Sequence, residues 1–192
     1  MTENNLLLQA SQLGAMRGER LLFRGLDLQL TAGETVLLRG LNGSGKTTLL
    51  RQLCGLSDLH AGTVRRLTPH HWVSHSNGLK AHETPRTHLQ HWARVWGSTA
   101  SVEDILTRIE MTRPADVPCQ MLSAGQKRRT ALGRLLLEDR QVWMLDEPFS
   151  GLDDDGEALL TELIETHCAK GGAVIVALHG ESPVTATREV TL

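Results

Sequence analysis

No apolar run in the 192 residues approaches the ~20 that a bilayer-spanning helix needs. Any membrane association is therefore expected to come through a partner. Neither sign of charge is in excess. Lys and Arg number 20 against 22 Asp and Glu, a formal charge of −2, which removes bulk electrostatic attraction to nucleic acid or anionic lipid. Basic residues gather only in short groups such as Arg65-Arg66 and Lys127-Arg128-Arg129, which read as solvated helix surface. Cysteine is scarce: Cys54, Cys119 and Cys168 are odd in number, far apart and never in a C-x-x-C pair, which excludes a disulfide framework and fits a reducing compartment. The opening stretch MTENNLLLQ lacks a basic n-region, so no secretory signal is expected. Internal repeats and low-complexity tracts are also missing.

What is present is a 40% hydrophobic chain of single-domain length, enough for a substantial core. Short apolar runs alternate with helical periodicity, the pattern of an α/β protein with a largely parallel sheet. Leu26, Leu28 and Leu30 alternate with Asp27 and Gln29, as in a half-buried strand near a sheet edge. TVLLR (35–39), VWML (142–145) and AVIVAL (173–178) are continuous apolar runs, as in strands covered on both faces. Helices are expected over Lys46–Cys54, Ser123–Leu137 and Gly156–Lys170, the last ended by Gly171-Gly172. Between about Pro85 and Pro118 the strands stop. Thr84-Pro85 reads as a cap with Pro at the first helical position. Ser101 with Asp104 makes a capping-box pattern before Ile105, Leu106 and Ile109. The expectation is one domain over 1–192 carrying a small helical subdomain over roughly 84–137, with a last short strand near Glu189–Leu192.

Gly40-Leu41-Asn42-Gly43-Ser44-Gly45-Lys46-Thr47 fits G-x-x-x-x-G-K-[ST], with a strand before it and a helix after it. Glycines let backbone N–H groups turn inward around phosphates, and the helix N-terminus adds positive potential. Lys46 is expected on the β- and γ-phosphates and the Thr47 hydroxyl on Mg²⁺, with Thr48 counted in the binding stretch. This motif alone says only nucleoside triphosphate. VWMLDE ends an apolar strand in two acids: Asp146 is expected near Mg²⁺, and Glu147 on the attacking water. The alternative is a pair of surface acids opening a turn at Pro148.

Leu122-Ser123-Ala124-Gly125-Gln126 is open to a plain helix-cap reading, but it resembles the LSGGQ signature of the ATP-binding-cassette family, with Ala124 for the first glycine. It lies between the P-loop and the acidic strand end, as in that family. The resemblance covers nearly the whole chain, from Leu6 to His179. It implies an ATP hydrolase with ATP and Mg²⁺ as cofactors and a P-loop core bearing antiparallel edge strands. It also implies that Ser123, Gly125 and Gln126 face the γ-phosphate of ATP held by another subunit. The working form is then a homodimer or a paired cassette subunit beneath an integral membrane permease, with no role for nucleic acid. Phe149–Asp153 (FSGLD) resembles the family's D-loop, with Gly151 where alanine is common, and His179 matches its switch histidine. Two departures stand out. Ser76 occupies the position of a glutamine that reaches Mg²⁺ and the membrane partner. Tyrosine is absent, so the aromatic that stacks on adenine is missing in its usual form; Arg17, Phe23 or no stacking at all remain open.

LSAGQKRR together with SHSNGLK (74–80) resembles one subgroup, the ATP-binding subunits of cytochrome c maturation systems. That resemblance implies a haem-handling role on the cytoplasmic side of a bacterial inner membrane. Six histidines lie between His70 and His91 without tidy ligand spacing, and they read as a polar surface. The other classes are a cassette subunit for uptake or lipid export, a non-transport cassette ATPase, and a P-loop kinase. The non-transport ATPases carry paired cassettes or a long insert that this chain lacks, and the kinase would not need LSAGQ.

Overall fold

A computed structural model describes residues 5–192; the first four residues, part of the stretch read above for a leader, lie outside the described residues. The chain divides into two compact units: 1–72 with 140–148 and 162–192, and 73–139 with 149–161.

The first unit is built on two sheets. Strands β1 (Leu6–Arg17), β2 (Arg20–Thr31) and β4 (Ala61–Arg66) form an antiparallel sheet in the order β2-β1-β4. Residues 26–30 thus lie on an edge strand, with Leu28 and Leu30 buried and Asp27 and Gln29 exposed. The second sheet has the order β5-β6-β7-β3-β8, from β3 (Thr35–Arg39), β5 (His70–Val73), β6 (Val142–Asp146), β7 (Ala173–Ala177) and β8 (Arg188–Thr191). β3 runs parallel to both β7 and β8, and β6 runs parallel to β7. Every residue of β6 and β7 is buried, which is why these strands read as unbroken apolar runs. Helix α1 (Lys46–Cys54) supplies Leu49, Leu50 and Leu53 to this core.

Arg65 and Arg66 lie on a strand and not on a helix, which corrects the sequence reading. Arg66 donates from Nε to Leu53 O at 2.6 Å and from its terminal nitrogen to Gln52 O at 2.7 Å, so it caps α1 with a charge of the sign that a helix C-terminus favours. Cys54 is buried in the core, and burial pushes its thiol up to about 12. Such a thiol is a packing residue and not a nucleophile.

The second unit is helical: α2 (Pro85–Trp96), α3 (Val102–Arg108) and α4 (Ala124–Leu132), around a core of Leu89, Ile105, Leu106, Ile109 and Leu122. Thr84 caps α2 with Pro85 at the first helical position, in a reciprocal box with Thr87. Ser101 accepts from Asp104 N, which is half of the box that the sequence suggested. The helix expected over 123–137 is shorter than that. It passes into a 3-10 turn at Gly133–Leu136. A Cβ at Gly133 would stand 2.9 Å from Ile109 Cδ1 and 3.2 Å from Leu89 Cδ2, so the backbone is drawn against the neighbouring side chains there. Helix α5 (Asp154–Ala169) begins two residues earlier than expected, with Asp154, Asp155 and Glu157 in its first turn.

The histidine-rich stretch is not uniformly a polar surface. His71 and His88 are each 2% exposed. His88 Nδ1 lies 3.3 Å from Glu83 Oε2, and its Nε2 is buried without a partner. Burial pushes the His88 pKa below the ordinary histidine value, and burial beside Arg66 and Arg140 does the same at His70. A histidine whose folded pKa lies below its unfolded value stabilises the fold above about pH 6.5, and that contribution fades as pH falls. The melting temperature should therefore decline between about pH 7 and pH 5. His88→Gln, which cannot take up a proton, should flatten part of that decline, as read by thermal melts across the range. An unchanged slope would show that His88 does not titrate with unfolding.

Candidate functional site

The P-loop connects β3 to α1. Gly40, Gly43 and Gly45 have φ of 149°, 80° and 112°, and the turn closes through Ser44 N to Leu41 O at 3.1 Å. A Cβ on Gly40 would lie 2.5 Å from Ser44 Oγ and 2.9 Å from Leu192 O, so only glycine fits. Leu41, Asn42 and Gly43 are exposed, while Lys46 is 7% exposed and donates from Nζ to Gly40 O at 2.7 Å and to Leu41 O at 3.4 Å. Ser44 Oγ is buried without a partner. The loop thus holds an ammonium, an orphan hydroxyl and three positive-φ glycines at one helix N-terminus, which fits an anion cradle. Thr48 follows half-buried in the first turn of α1.

The ends of β6 and β7 bring three more of the expected residues to the same unit. Asp146, 2% exposed at the end of β6, accepts from Thr47 Oγ1 at 2.8 Å. A hydroxyl and a carboxylate oxygen side by side fit a hard cation such as Mg²⁺. Glu147 follows with φ 49°, a left-handed backbone unusual outside glycine, and its N–H donates to Ala177 O at 2.8 Å. That hydrogen bond to the last residue of β7 aims the side chain toward His179, whose Nδ1 lies 2.9 Å from Glu147 Oε2. His179 is 64% exposed and Glu147 only 17%. The result is a carboxylate with one face on an imidazole.

Arg39, which sequence reasoning missed, joins this group. It pairs with Glu189 at 3.0 Å and donates to Gly180 O, the carbonyl next to His179. Its partners are about 140 and 150 positions away, so nothing local could have announced them. Phe23 was open as an adenine platform. It is 8% exposed in the core and packs beside Gly45, so it cannot present a free face. Arg17 is exposed at the end of β1.

The remaining site residues lie in the helical unit. Ser123 caps α4: its Oγ accepts from Gln126 N at 3.1 Å, and Gln126 Oε1 accepts from Ser123 N at 3.0 Å. Gln126 thus turns its carbonyl end back onto its own helix. Gly125 is required because a Cβ there would stand 3.0 Å from Gly151 O. The family's two small-residue departures meet in space: a Cβ at Gly151 would lie 3.4 Å from Ala124 Cβ, so the methyl gained at 124 sits where one is missing at 151.

Arg128 and Arg129, read above as solvated, are 2% and 8% exposed. Arg128 NH1 donates to Ser74 O at 2.8 Å and to Asn77 Oδ1 at 3.1 Å. Arg129 pairs with Asp153 at 2.7 Å and with Glu110. Burial works against its charge, but the two carboxylates more than offset this and hold its proton more tightly than usual. The signal was available. Positions 128, 131, 132 and 135 make an i, i+3, i+4, i+7 face whose other members are Ala131, Leu132 and Leu135, all buried. Ser76 is exposed in the turn that Arg128 holds, its Oγ 3.1 Å from Ser74 Oγ.

Among the described residues no helix is long and apolar enough to cross a membrane, and no three His, Cys, Asp or Glu side chains converge as a metal site. A model of the ABC transporter family matches residues 23–150. A protein of Hyphomonas neptunium named cytochrome c biogenesis ATP-binding export protein CcmA is 53% identical over 97% of this chain and 96% of its own length. A protein of the same name from Methylococcus capsulatus is 43% identical over 88% of this chain and 89% of its own. The solved ATP-binding subunit of an ABC transporter superposes with a TM-score of 0.80 at 23% identity, over 90% of this chain and 79% of that one, which shows the shared fold. The chain belongs to the ABC transporter family, among its cytochrome c biogenesis ATP-binding export proteins.

Proposed function

We propose that the chain energises a membrane permease in c-type cytochrome biogenesis, working as a two-fold dimer on the cytoplasmic side of a bacterial inner membrane. As an ABC ATPase it converts ATP and water to ADP and phosphate. The observation that carries the assignment of roles is the pairing of Thr47 with Asp146 and of Glu147 with His179 at neighbouring strand ends.

In this reading Lys46 and the backbone N–H groups of Gly43 and of Gly45 to Thr48 bind the β- and γ-phosphates. Thr47 and Asp146 hold Mg²⁺. What the ion supplies when bound is neutralisation of charge on the β- and γ-phosphate oxygens. Glu147 accepts a proton from the water whose oxygen attacks the γ-phosphorus, and the bridging bond breaks toward ADP. His179 holds Glu147 through Oε2 and so fixes the direction of the carboxylate. Ser123, Gly125 and the N-terminus of α4 receive the γ-phosphate of ATP held by a second copy. The permease reads closure and opening of that dimer.

The test is a gene deletion restored with wild type or with Glu147→Gln, followed by an assay of covalent c-type haem in membranes. Wild type should restore it and Glu147→Gln should not. Normal cytochrome maturation without the gene would refute the biogenesis role and leave the ATPase assignment standing.

A further inference from the structure

A guanidinium that is 98% buried is an expensive component unless its donors are met, so what Arg128 meets is informative. Two hydrogens of one terminal nitrogen go to the same four-residue turn, one to the carbonyl of Ser74 and one to the side-chain oxygen of Asn77. Within that turn the Ser74 hydroxyl also donates to the carbonyl of Ser76, and its oxygen lies 3.1 Å from the Ser76 hydroxyl. Ser74 thus links α4 to Ser76, its carbonyl held by Arg128 and its hydroxyl bonded to Ser76. The next residue of α4 makes a parallel attachment, Arg129 to Asp153 at the start of α5. Arg129 lies a turn and a half into the helix that Ser123 caps, and Gly125 of the same helix abuts Gly151 O. Two separate loops of the helical unit are therefore pinned to one short helix by buried charge.

We propose that Arg128 is the positioning residue of the Ser76 turn. It fastens residues 74–77 to the helix opened by Ser123, so that the two segments shift as one body when nucleotide binds and leaves. The clamp itself is read from geometry; its response to nucleotide rests on the function proposed above. Where the family resemblance places a long glutamine, this chain carries a short serine that cannot reach far. A short side chain is useful only if its backbone is held in place, and Arg128 holds it.

The experiment is backbone amide hydrogen exchange on the full chain carrying Glu147→Gln, with peptides covering 74–80 and 123–132, without nucleotide and with Mg·ATP. Asn77→Ala removes one acceptor and leaves Arg128 in place, so it avoids the folding risk of emptying the Arg128 site. Without nucleotide, Asn77→Ala should speed exchange at 74–80 by about tenfold, and Asn77→Asp, which turns the contact into an ion pair, should slow it. Exchange at 123–132 should stay as in the parent. With Mg·ATP, the parent should gain protection in both peptides, and Asn77→Ala only at 123–132. Unchanged exchange at 74–80 in both variants would overturn the clamp. Equal ATP protection of 74–80 in the parent and in Asn77→Ala would overturn the coupling. A parent with no ATP protection at 123–132 would count against the proposed function, and the nucleotide-free arm would still decide the clamp.

Discussion

Glu147→Gln is expected to lower ATP hydrolysis by roughly 10²–10⁴-fold and to leave nucleotide affinity intact, because it removes a proton acceptor and no phosphate contact. The amide oxygen can still accept from His179, so the 2.9 Å contact and the local backbone survive the change. The hydrolytic step is what is lost. The ATP-bound state should then accumulate as a dimer, detectable by light scattering with ATP and absent with ADP. Phosphate release measured beside equilibrium ATP binding separates the two effects. A rate within about threefold of the parent would remove Glu147 from the base role, since losing a general base costs far more. Collapse of binding together with rate would point to a structural role for the carboxylate.

Ser123→Arg should silence the protein almost as thoroughly, by about 10²–10³-fold, because its long side chain fills the space at the N-terminus of α4 where the phosphate is to be received, and its charge opposes the positive end of the helix dipole. It also removes the Oγ that accepts from Gln126 N. If one copy supplies the P-loop and another the signature, the variant should depress wild-type activity beyond dilution when the two are mixed, by forming mixed dimers. Wild-type specific activity should rise with protein concentration. A concentration-independent rate in a monomeric sample, with no poisoning, would show a complete site in one chain.

Much of the nucleotide unit was legible because its rules are local. β3, β6 and β7 are covered on both faces, and that leaves unbroken apolar runs that few other structures produce. The boundaries of α1 at Lys46 and Cys54 follow from Gly45 and Gly55, both in left-handed backbone. The helical unit was less legible because its decisive interactions are made at a distance. Arg128 and Arg129 read as surface because charge is the stronger prior, yet the apolar face of α4 already contained position 128. The break at Gly133 depends on Ile109 and Leu89, which no window around 133 contains. Arg39 serves the His179 loop through Gly180 and Glu189, and only the folded sheet brings them together.

The left-handed backbone of Glu147 has a consequence for anyone who alters this protein. A non-glycine residue at φ 49° costs on the order of 1 kcal/mol that Gly would not incur. With Glu147 as the base proposed above, heat resistance and turnover pull position 147 in opposite directions. A library sorted only for survival at high temperature would accept Gly there and drift toward well-folded, inert proteins. In the proposed role the strained backbone is what the carboxylate costs at this position, and a sorting scheme has to score hydrolysis to retain it.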